Sequence, residues 1–260
     1  MGFLEAILLG LIQGLTEFLP VSSSGHLVIA QSLMGLVEEG LRFEVAVHVA
    51  TLASVLVFYR RRVGELAVGV LRGRRDAWEY AAKLGVATVP AVVVVLLFGD
   101  WLDAQFETPA TAGVCLIVTG AILWTTRWTI GRAAAPTPGW GVALRVGCAQ
   151  AFAILPGISR SGSTVATAVA LGVSPVAAAE FSFLMSVPAI LGAAVRTIPE
   201  LSALPAGEAP ALLAGALAAG LSGIAAIWLF VRLLRGQRFY RFAFYTWPVG
   251  ALFLLWLTTA

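Results

Sequence analysis

Charged side chains are scarce in this chain of 260 residues. Asp, Glu, Lys and Arg together make up 12% of it, whereas hydrophobic residues make up 59%. Charged residues normally account for about 25% of a soluble globular domain, which needs them for its surface. The scarcity therefore excludes an ordinary soluble protein and predicts a single membrane-embedded domain over residues 1–260.

Cysteine is almost absent. Cys115 and Cys148 both lie in apolar sequence, which predicts packing roles and argues against a disulfide framework or a thiolate metal site. The N-terminal residues lack a basic segment before their apolar run, so no cleavable signal peptide is predicted. The net charge of +3 comes almost wholly from arginine and indicates membrane topology rather than a nucleic-acid partner.

Apolar segments long enough to cross a bilayer recur along the chain. A spanning helix needs about 20 mostly apolar residues. Six segments fit: 43–59, 80–98, 109–126, 177–195, 209–231 and 242–259. Two further stretches, about 3–36 and 142–173, are interrupted by Pro, Gly and Ser. These interruptions predict re-entrant hairpins, in which broken helices are buried in protein or lie against a cavity.

The arginines predict the orientation of the segments. They cluster after the first span, after the third, and between the last two, whereas loops 99–108 and 197–208 carry acidic residues only. The positive-inside rule places the arginine loops in the cytoplasm and the acidic loops outside. The stretch 142–173 then begins and ends in the cytoplasm, so it dips into the membrane and returns.

The two interrupted stretches resemble each other. LPVSSSGH at 19–26 is similar to LPGISRSGS at 155–163, and Gln13 and Gln150 precede them at nearly equal distances. One hairpin followed by three spans in each half gives the halves opposite orientations. The prediction is an all-α integral membrane fold with six transmembrane helices and two re-entrant hairpins in an inverted-topology repeat. The halves are residues 1–130 and 140–260.

The polar residues at the interruptions predict an anion-binding pocket. Serines after Pro20 and Pro156 suit N-caps of the second half-helices, whose free N–H groups attract phosphate. Arg160 has no acidic neighbour in sequence, and a buried arginine in a membrane needs a partner. Its planar guanidinium suits phosphate oxygens. Pairing with Glu17, which would lock the hairpins together, is the structural alternative. Glu17 and Arg160 are predicted to lie close together in either case.

Acidic residues and histidines near the first interruption suggest proton transfer. Glu17 and His26 could act as general base and proton carrier, or Glu17 could bind a divalent cation. Interfacial anchoring and helix capping are the structural alternatives. Glu44 and His48 share one helix face at i,i+4 spacing. Glu44, His48 and Glu180 are predicted either to contact the residues that bind the substrate or to be interior polar residues.

These residues resemble those of a known family. QGLTEFLPVSSSGH and LPGISRSGST are similar to the two signature motifs of the bacitracin-resistance family of undecaprenyl-diphosphate phosphatases. The first motif is Glu or Gln, three residues, Glu, then Pro, a serine pair and Gly-His. The second is Pro-Gly-x-Ser-Arg-Ser-Gly-x-Thr. Segments 43–62 and 177–193 also resemble family segments, so the likeness covers nearly the whole chain.

The resemblance implies a hydrolase that removes the terminal phosphate of a polyprenyl diphosphate. Its product is the carrier lipid of cell-envelope glycan synthesis, including peptidoglycan, which implies a link to bacitracin resistance. A multi-pass protein of the plasma (inner) membrane is implied, with its active site facing outside and dependence on a divalent cation, Mg²⁺ or Ca²⁺. The implied partners are the lipid substrate and membrane lipid, with no nucleic acid.

The resemblance also implies residue roles. Glu17 is the catalytic or metal-associated carboxylate, with Gln13 in the companion metal position. Ser23 is the candidate nucleophile, with activated water as the alternative. His26 is the acid/base candidate and Arg160 the phosphate-binding catalytic arginine. The other residues expected at the phosphate site are Ser22, Ser24, Gly25, Ser159, Ser161, Gly162 and Thr164.

Two residues depart from the family pattern. Gln13 stands where many family members have glutamate, which weakens a two-carboxylate metal site, and Thr246 stands where arginine is frequent.

A transporter or flippase for an anion or anionic lipid is the main alternative function, since inverted repeats are also found in transporters. A type-2 phosphatidic acid phosphatase is the weaker one, because the chain lacks that family's Lys–Arg-Pro motif. The acid/base pair Glu17 and His26 favours the diphosphatase over a transporter.

Overall fold

The computed structural model describes residues 2–34, 41–201 and 209–259, and these ranges contain helices and no strand. The helices are α1 Phe3–Phe18, α2 Ser23–Met34, α3 Leu41–Phe58, α4 Arg60–Leu71, α5 Arg75–Phe106, α6 Pro109–Thr125, α7 Trp140–Phe152, α8 Arg160–Ala170, α9 Pro175–Leu201, α10 Ala209–Arg235 and α11 Ala243–Leu257. The predicted all-α class is confirmed for this part of the chain. Residues 35–36 of the first interrupted stretch and 202–208 of the second acidic loop lie outside it.

Several helices are suited to cross a membrane. Within the described ranges, four are long and apolar enough, in α5, α6, α9 and α10, and the pair α3 and α4 makes a fifth if counted as one span. Large apolar side chains such as Leu96 and Leu221 are at least 70% exposed. Such extensive apolar exposure is expected where the surface contacts lipid rather than water. The chain is therefore a multi-pass membrane protein.

The arginine-rich segment after the first span is a helix rather than the predicted loop. α4 begins at Arg60, immediately after α3, and the two helices meet at 79°. Val63 and Leu66 pack against the main hydrophobic cluster and Gly69 is buried, so α4 is amphipathic. Tertiary packing of this apolar face stabilises α4 as a helix. The clustered arginines alone had predicted a cytoplasmic loop here.

α5 extends beyond the predicted span at both ends. It runs from Arg75 to Phe106, so most of the predicted acidic loop 99–108 is helical. Phe98 has non-helical angles, φ −130° and ψ 20°, and the helix is kinked there. The predicted end at residue 98 therefore coincides with a kink. Helix continues past it because Asp100 and Asp103 are exposed, where their charge is tolerated.

Both interrupted stretches form two helices separated by a break. Residues 19–22 separate α1 from α2, and residues 153–159 separate α7 from α8. Ser22 and Gly157 have positive φ, 69° and 95°. α1 packs against α2 and α7 packs against α8, so the chain folds back at each break. α1 packs along α10 and α7 along α5, so each hairpin is buried against a long helix.

Candidate active site

The two hairpins lie directly against each other next to their breaks, with Gly25 in the first turn of α2 against Gly157 of the second break. A Cβ atom placed on Gly25 would be 2.9 Å from the Cα of Gly157, so a side chain there would force the hairpins apart. Thr119 of α6 braces the second break, since its hydroxyl donates to the Gly157 carbonyl at 2.8 Å and accepts from the Ser159 N–H at 2.9 Å. The close approach of Gly25 and Gly157 brings the polar residues of the two motifs near each other.

Glu17 and Arg160 form an ion pair between the hairpins. Arg160 Nη2 donates to Glu17 Oε1 at 2.6 Å, and the two side chains are 17% and 7% exposed. Arg160 Nη1 also donates to the carbonyl of Ser182 at 3.5 Å. Charges removed from water need such partners. The predicted proximity of Glu17 and Arg160 is confirmed, and the same geometry fits the alternative in which the pair locks the hairpins.

The second carboxylate oxygen of Glu17 accepts hydrogen bonds from two side chains. Ser23 Oγ donates to Oε2 at 2.5 Å, and Gln13 Nε2 donates to it at 3.1 Å. His48 Nε2 lies 3.9 Å from the same oxygen, and His48 Nδ1 lies 2.6 Å from the carbonyl oxygen of Glu44. Ser23 therefore has a carboxylate in place to receive its proton, which is what activation of a hydroxyl nucleophile requires.

A cavity of about 600 Å³ opens beside this cluster. Its polar lining includes Glu17, Ser22, Ser23, Ser24, Ser159 and Arg160. Its apolar lining includes Val49, Ala91, Val92, Val95, Leu96 and Ile190. A few polar groups set among apolar walls are typical of a ligand site, and here they suit an anionic head group carrying a hydrocarbon tail.

Both ring nitrogens of His26 lie within hydrogen-bond distance of other protein groups. Its Nδ1 lies 2.8 Å from the carbonyl oxygen of Ser22, and its Nε2 lies 2.9 Å from the hydroxyl of Tyr245. The two rings also stack, with centroids 5.6 Å apart. Within the described residues, the cavity lining does not include His26. Proton transfer by this histidine therefore requires one of its two hydrogen bonds to break.

Ser22 has a left-handed backbone conformation, and its side chain contacts later residues of the first motif. Its Oγ accepts from the Gly25 N–H at 3.3 Å and lies 3.3 Å from Ser24 Oγ. Ser22, Ser23 and Ser24 line the cavity, as predicted for phosphate-site residues. Gly25 instead provides the close backbone approach to Gly157.

The predicted residues of the second motif divide between cavity and core. Ser159 lines the cavity and caps α8, because its Oγ accepts from the Gly162 N–H at 3.0 Å. Ser161 donates to the Leu19 carbonyl at 3.1 Å and so ties the second hairpin to the first. Thr164 is fully buried and lies 2.6 Å from Ser182 Oγ. Ser161 and Thr164 therefore support the site through packing.

Glu180 belongs to a different cluster. It accepts from Arg62 Nε at 2.9 Å and from the Tyr80 hydroxyl at 3.3 Å. Ser182, two residues further along α9, faces Arg160, and two residues rotate the helix by roughly 200°. Of the three predicted supporting residues, Glu44 and His48 line the cavity, whereas Glu180 does not, counting only residues that the structure describes.

The residues around Glu17 can hold a hard cation only with help from a ligand. No group of three or more His, Cys, Asp and Glu side chains in the described ranges could bind a metal ion. However, Gln13 Oε1 is buried without a hydrogen-bond partner there, next to the Glu17 carboxylate. One carboxylate completed by substrate phosphate oxygens and waters is a usual arrangement for Mg²⁺, and an amide oxygen such as that of Gln13 is a further hard donor. Glu17 and Gln13 thus fit the implied cation.

Comparison with known proteins decides the family. The family model described as "Bacitracin resistance protein BacA" matches residues 6–252. The chain belongs to the BacA family. This confirms the resemblance that the two motifs predicted.

Individual relatives match over nearly their whole length. A protein of Syntrophotalea carbinolica named undecaprenyl-diphosphatase is 44% identical over 259 residues, covering 97% of this chain and 98% of its own. One of the same name from Desulfatibacillum aliphaticivorans is 41% identical and covers 98% and 99%. One from Alteromonas mediterranea, also of that name, is 37% identical over the full length of both chains. This chain therefore spans the same extent as these relatives of the BacA family.

Three side chains contact the site without having been predicted there. The Tyr245 hydroxyl lies 2.9 Å from His26, the Ser182 hydroxyl lies 2.6 Å from Thr164 while the Ser182 backbone carbonyl accepts from Arg160, and Gln150 lines the cavity. Of these three residues, only Gln150 could have been identified from the sequence, since it matches Gln13 in the internal repeat. Tyr245 and Ser182 reach the site through contacts between distant parts of the chain, which motif spacing does not reveal.

Proposed function

We propose that this protein is an undecaprenyl-diphosphatase, which hydrolyses polyprenyl diphosphate to the monophosphate and inorganic phosphate. The observation that carries this function is the cluster of Arg160, Glu17 and Ser23 on a cavity with mainly apolar walls. Membership of the BacA family and the names of its relatives support it. Neither supports the transporter alternative.

Arg160 is proposed to bind the terminal phosphate. Without substrate, its guanidinium is neutralised by Glu17. Phosphate oxygens compete well for an arginine, because they accept strong charge-assisted hydrogen bonds. Once bound, Arg160 stabilises the negative charge of the transferred phosphoryl group. Glu17, released from Arg160, keeps the hydrogen bond that Ser23 donates to it.

Glu17 is proposed to activate the nucleophile. If Ser23 attacks, its proton passes to Glu17 and its Oγ bonds to the terminal phosphorus while the bridging P–O bond breaks. The lipid monophosphate leaves, and water then hydrolyses the phosphoserine. If water attacks, Glu17 takes the proton from that water and no covalent intermediate forms. The 2.5 Å hydrogen bond from Ser23 to Glu17 favours the serine.

His26 is proposed to position Ser22 rather than to contact the lipid. Its ring is fixed by Tyr245 on one side and by the Ser22 carbonyl on the other. These contacts hold the first break in the conformation that directs Ser23 toward Glu17. The acid/base role implied for His26 by the family resemblance stays a prediction.

A divalent cation, Mg²⁺ or Ca²⁺, is proposed to be held by Glu17 and Gln13 together with phosphate oxygens. When bound, it would neutralise part of the negative charge of the diphosphate. The unpaired Oε1 of Gln13 supports this assignment. Gln13 and Glu17 would then orient the head group toward Arg160.

For the architecture, we propose the full inverted repeat of residues 1–130 and 140–260. Each half would contain one re-entrant hairpin and three spans, in the plasma membrane, with the active site open to the outside. The presence of a helix–break–helix unit in each half supports the repeat. Arginines at the ends of α6 and α10 support the orientation, because positive residues favour the cytoplasmic side.

The test of the function is phosphate release by the purified full chain in detergent. Polyprenyl diphosphate would be supplied with Mg²⁺, with Ca²⁺, or with a chelator. We expect release that the chelator suppresses and that Glu17→Gln lowers at least 100-fold, while Glu65→Gln on exposed α4 retains it. Absence of release from folded wild-type protein that binds the lipid would overturn the proposal.

A further inference from the structure

Gln150 is a buried amide without a hydrogen-bond partner. The residue is 3% exposed, and neither Nε2 nor Oε1 is paired with any group in residues 2–34, 41–201 and 209–259. Buried polar groups are nearly always hydrogen-bonded, because an unpaired amide loses its bonds to water and gains none. Gln150 also lines the cavity that contains Arg160. An unpaired donor at a ligand cavity indicates that the ligand provides the acceptor.

Gln150 and Arg160 approach the cavity from different helices. One turn before Gln150, Gly147 packs so closely on α5 that a Cβ there would lie 2.5 Å from the Ala87 carbonyl oxygen. The adjacent α5 residue Thr88 and the later Ala91 both line the cavity. Arg160 begins α8 instead and is tied to α1 through Glu17. Gln150 thus faces the cavity from the α5–α7 wall, and Arg160 from the α1–α8 wall.

We propose that Gln150 is a second phosphate-binding residue, which makes the site select diphosphate over monophosphate. Its Nε2 donates to a phosphate oxygen while Arg160 holds the other phosphate. A lipid with a single phosphate bound at Arg160 leaves the amide unpaired, so Gln150 adds nothing to its affinity. The product of hydrolysis is therefore held less tightly than the substrate. The inference rests on the proposed diphosphatase function and adds a specificity-determining residue to it.

The test compares Gln150→Leu with wild type in the full-length detergent-solubilised protein. Two probes are used: farnesyl methylenediphosphonate, which the enzyme cannot cleave at its bridge, and farnesyl monophosphate. We expect roughly 10- to 100-fold weaker binding of the diphosphonate and less than about 3-fold change for the monophosphate, because only the diphosphonate loses a bond to a charged acceptor. Gln105→Leu, near the end of α5 at a position that does not itself line the cavity, should change neither affinity.

Thermal unfolding of the ligand-free variants separates binding from packing. Leucine replaces an unpaired buried amide with an apolar group of similar size, so Gln150→Leu should unfold at the same or a higher temperature than wild type. A lower unfolding temperature of Gln150→Leu, together with an equal loss of affinity for both probes, would assign Gln150 a packing role and overturn the proposal. Unchanged diphosphonate affinity would overturn it as well.

The two proposals fail in different ways. If wild-type protein prefers the diphosphonate and loses that preference on Gln150→Leu, yet releases no phosphate from any polyprenyl diphosphate, the hydrolase function fails and the role of Gln150 stands. If phosphate is released normally and the preference is unaffected by the substitution, the hydrolase stands and the role of Gln150 fails.

Discussion

Arg160 of the second hairpin donates to Glu17 of the first at 2.6 Å, and 143 residues separate the two in sequence. The pair links the two hairpins and lines the cavity that we propose binds the diphosphate. In the proposed mechanism, each charge is neutralised by the other until a phosphate replaces one partner. If so, stability and catalysis depend on the same contact, and substitutions at it should affect both.

Arg160→Ala should reduce phosphate release by at least 100-fold, since it removes the proposed phosphate ligand. Arg160→Lys keeps the charge but loses the forked geometry, so its activity should fall between that of alanine and wild type. The measurement is initial rate in detergent, with secondary structure followed by circular dichroism. Arg235→Ala, at the exposed end of α10, is the control. A folded Arg160→Ala protein with wild-type rate would contradict the role.

Glu17→Gln and Arg160→Gln should each destabilise the protein, by about 3–5 kcal/mol, because each leaves a buried charge without its partner. The double variant should be clearly more stable than the sum of the single effects predicts, since neither charge is left. Reversible unfolding in mixed micelles measures all four proteins. Simple additivity would show that the two side chains are not coupled.

Ser23→Ala should lower the rate by roughly 10³-fold or more if the serine is the nucleophile, because no covalent path remains. Ser32→Ala, on the same helix and with its hydroxyl donating to the Val28 carbonyl, should keep the wild-type rate. Stopping the wild-type reaction with acid should trap phosphate on the protein at Ser23. A Ser23→Ala enzyme that retains a tenth of the rate would favour direct attack by water.

Tyr245→Phe should lower activity by about 2- to 10-fold, which corresponds to the loss of one hydrogen bond to His26 with the ring contact retained. Tyr240→Phe, whose ring packs on Trp124, provides a comparison with an equivalent loss of hydroxyl. Rates and unfolding temperatures would be measured for both. If Tyr245→Phe behaves like Tyr240→Phe, the hydroxyl has no part in positioning His26.

Gly25→Ala should destabilise the protein by roughly 1–3 kcal/mol and impair activity, because the added methyl group forces the breaks apart at Gly157. Gly85→Ala makes the same chemical change inside α5, where a Cβ meets no atom of the described residues within 4 Å. That control should be neutral or slightly stabilising, since alanine favours helix. Equal behaviour of the two variants would show that the contact between the breaks is not tight.

Local sequence was sufficient to predict features that depend on composition and short motifs. The apolar segments predicted an all-helical membrane protein, the Pro, Gly and Ser clusters predicted the breaks, and the serine after Pro156 predicted the cap at Ser159. The lone charge of Arg160 also predicted its acidic partner. Each of these follows from a strong local energy, such as the cost of an unpaired charge in an apolar setting.

Features that depend on tertiary packing were not predictable in the same way. α4 forms a helix because Val63 and Leu66 find apolar neighbours, and α5 continues beyond Phe98 because its acidic residues stay exposed. His26 and Tyr245 meet across 219 residues, with no shared motif. The contact of Gln150 with the cavity likewise depends on how α7 packs against α5.

The backbone contact between Gly25 and Gly157 means that both halves of the chain are needed to form the site. Each half of the chain contributes one break, and the breaks support each other where no side chain intervenes. A fragment ending between the halves would contain either the carboxylate or the guanidinium, with half of the supporting turn. Neither fragment could form the site alone, so a two-fragment protein would regain function only by reassembling in the membrane.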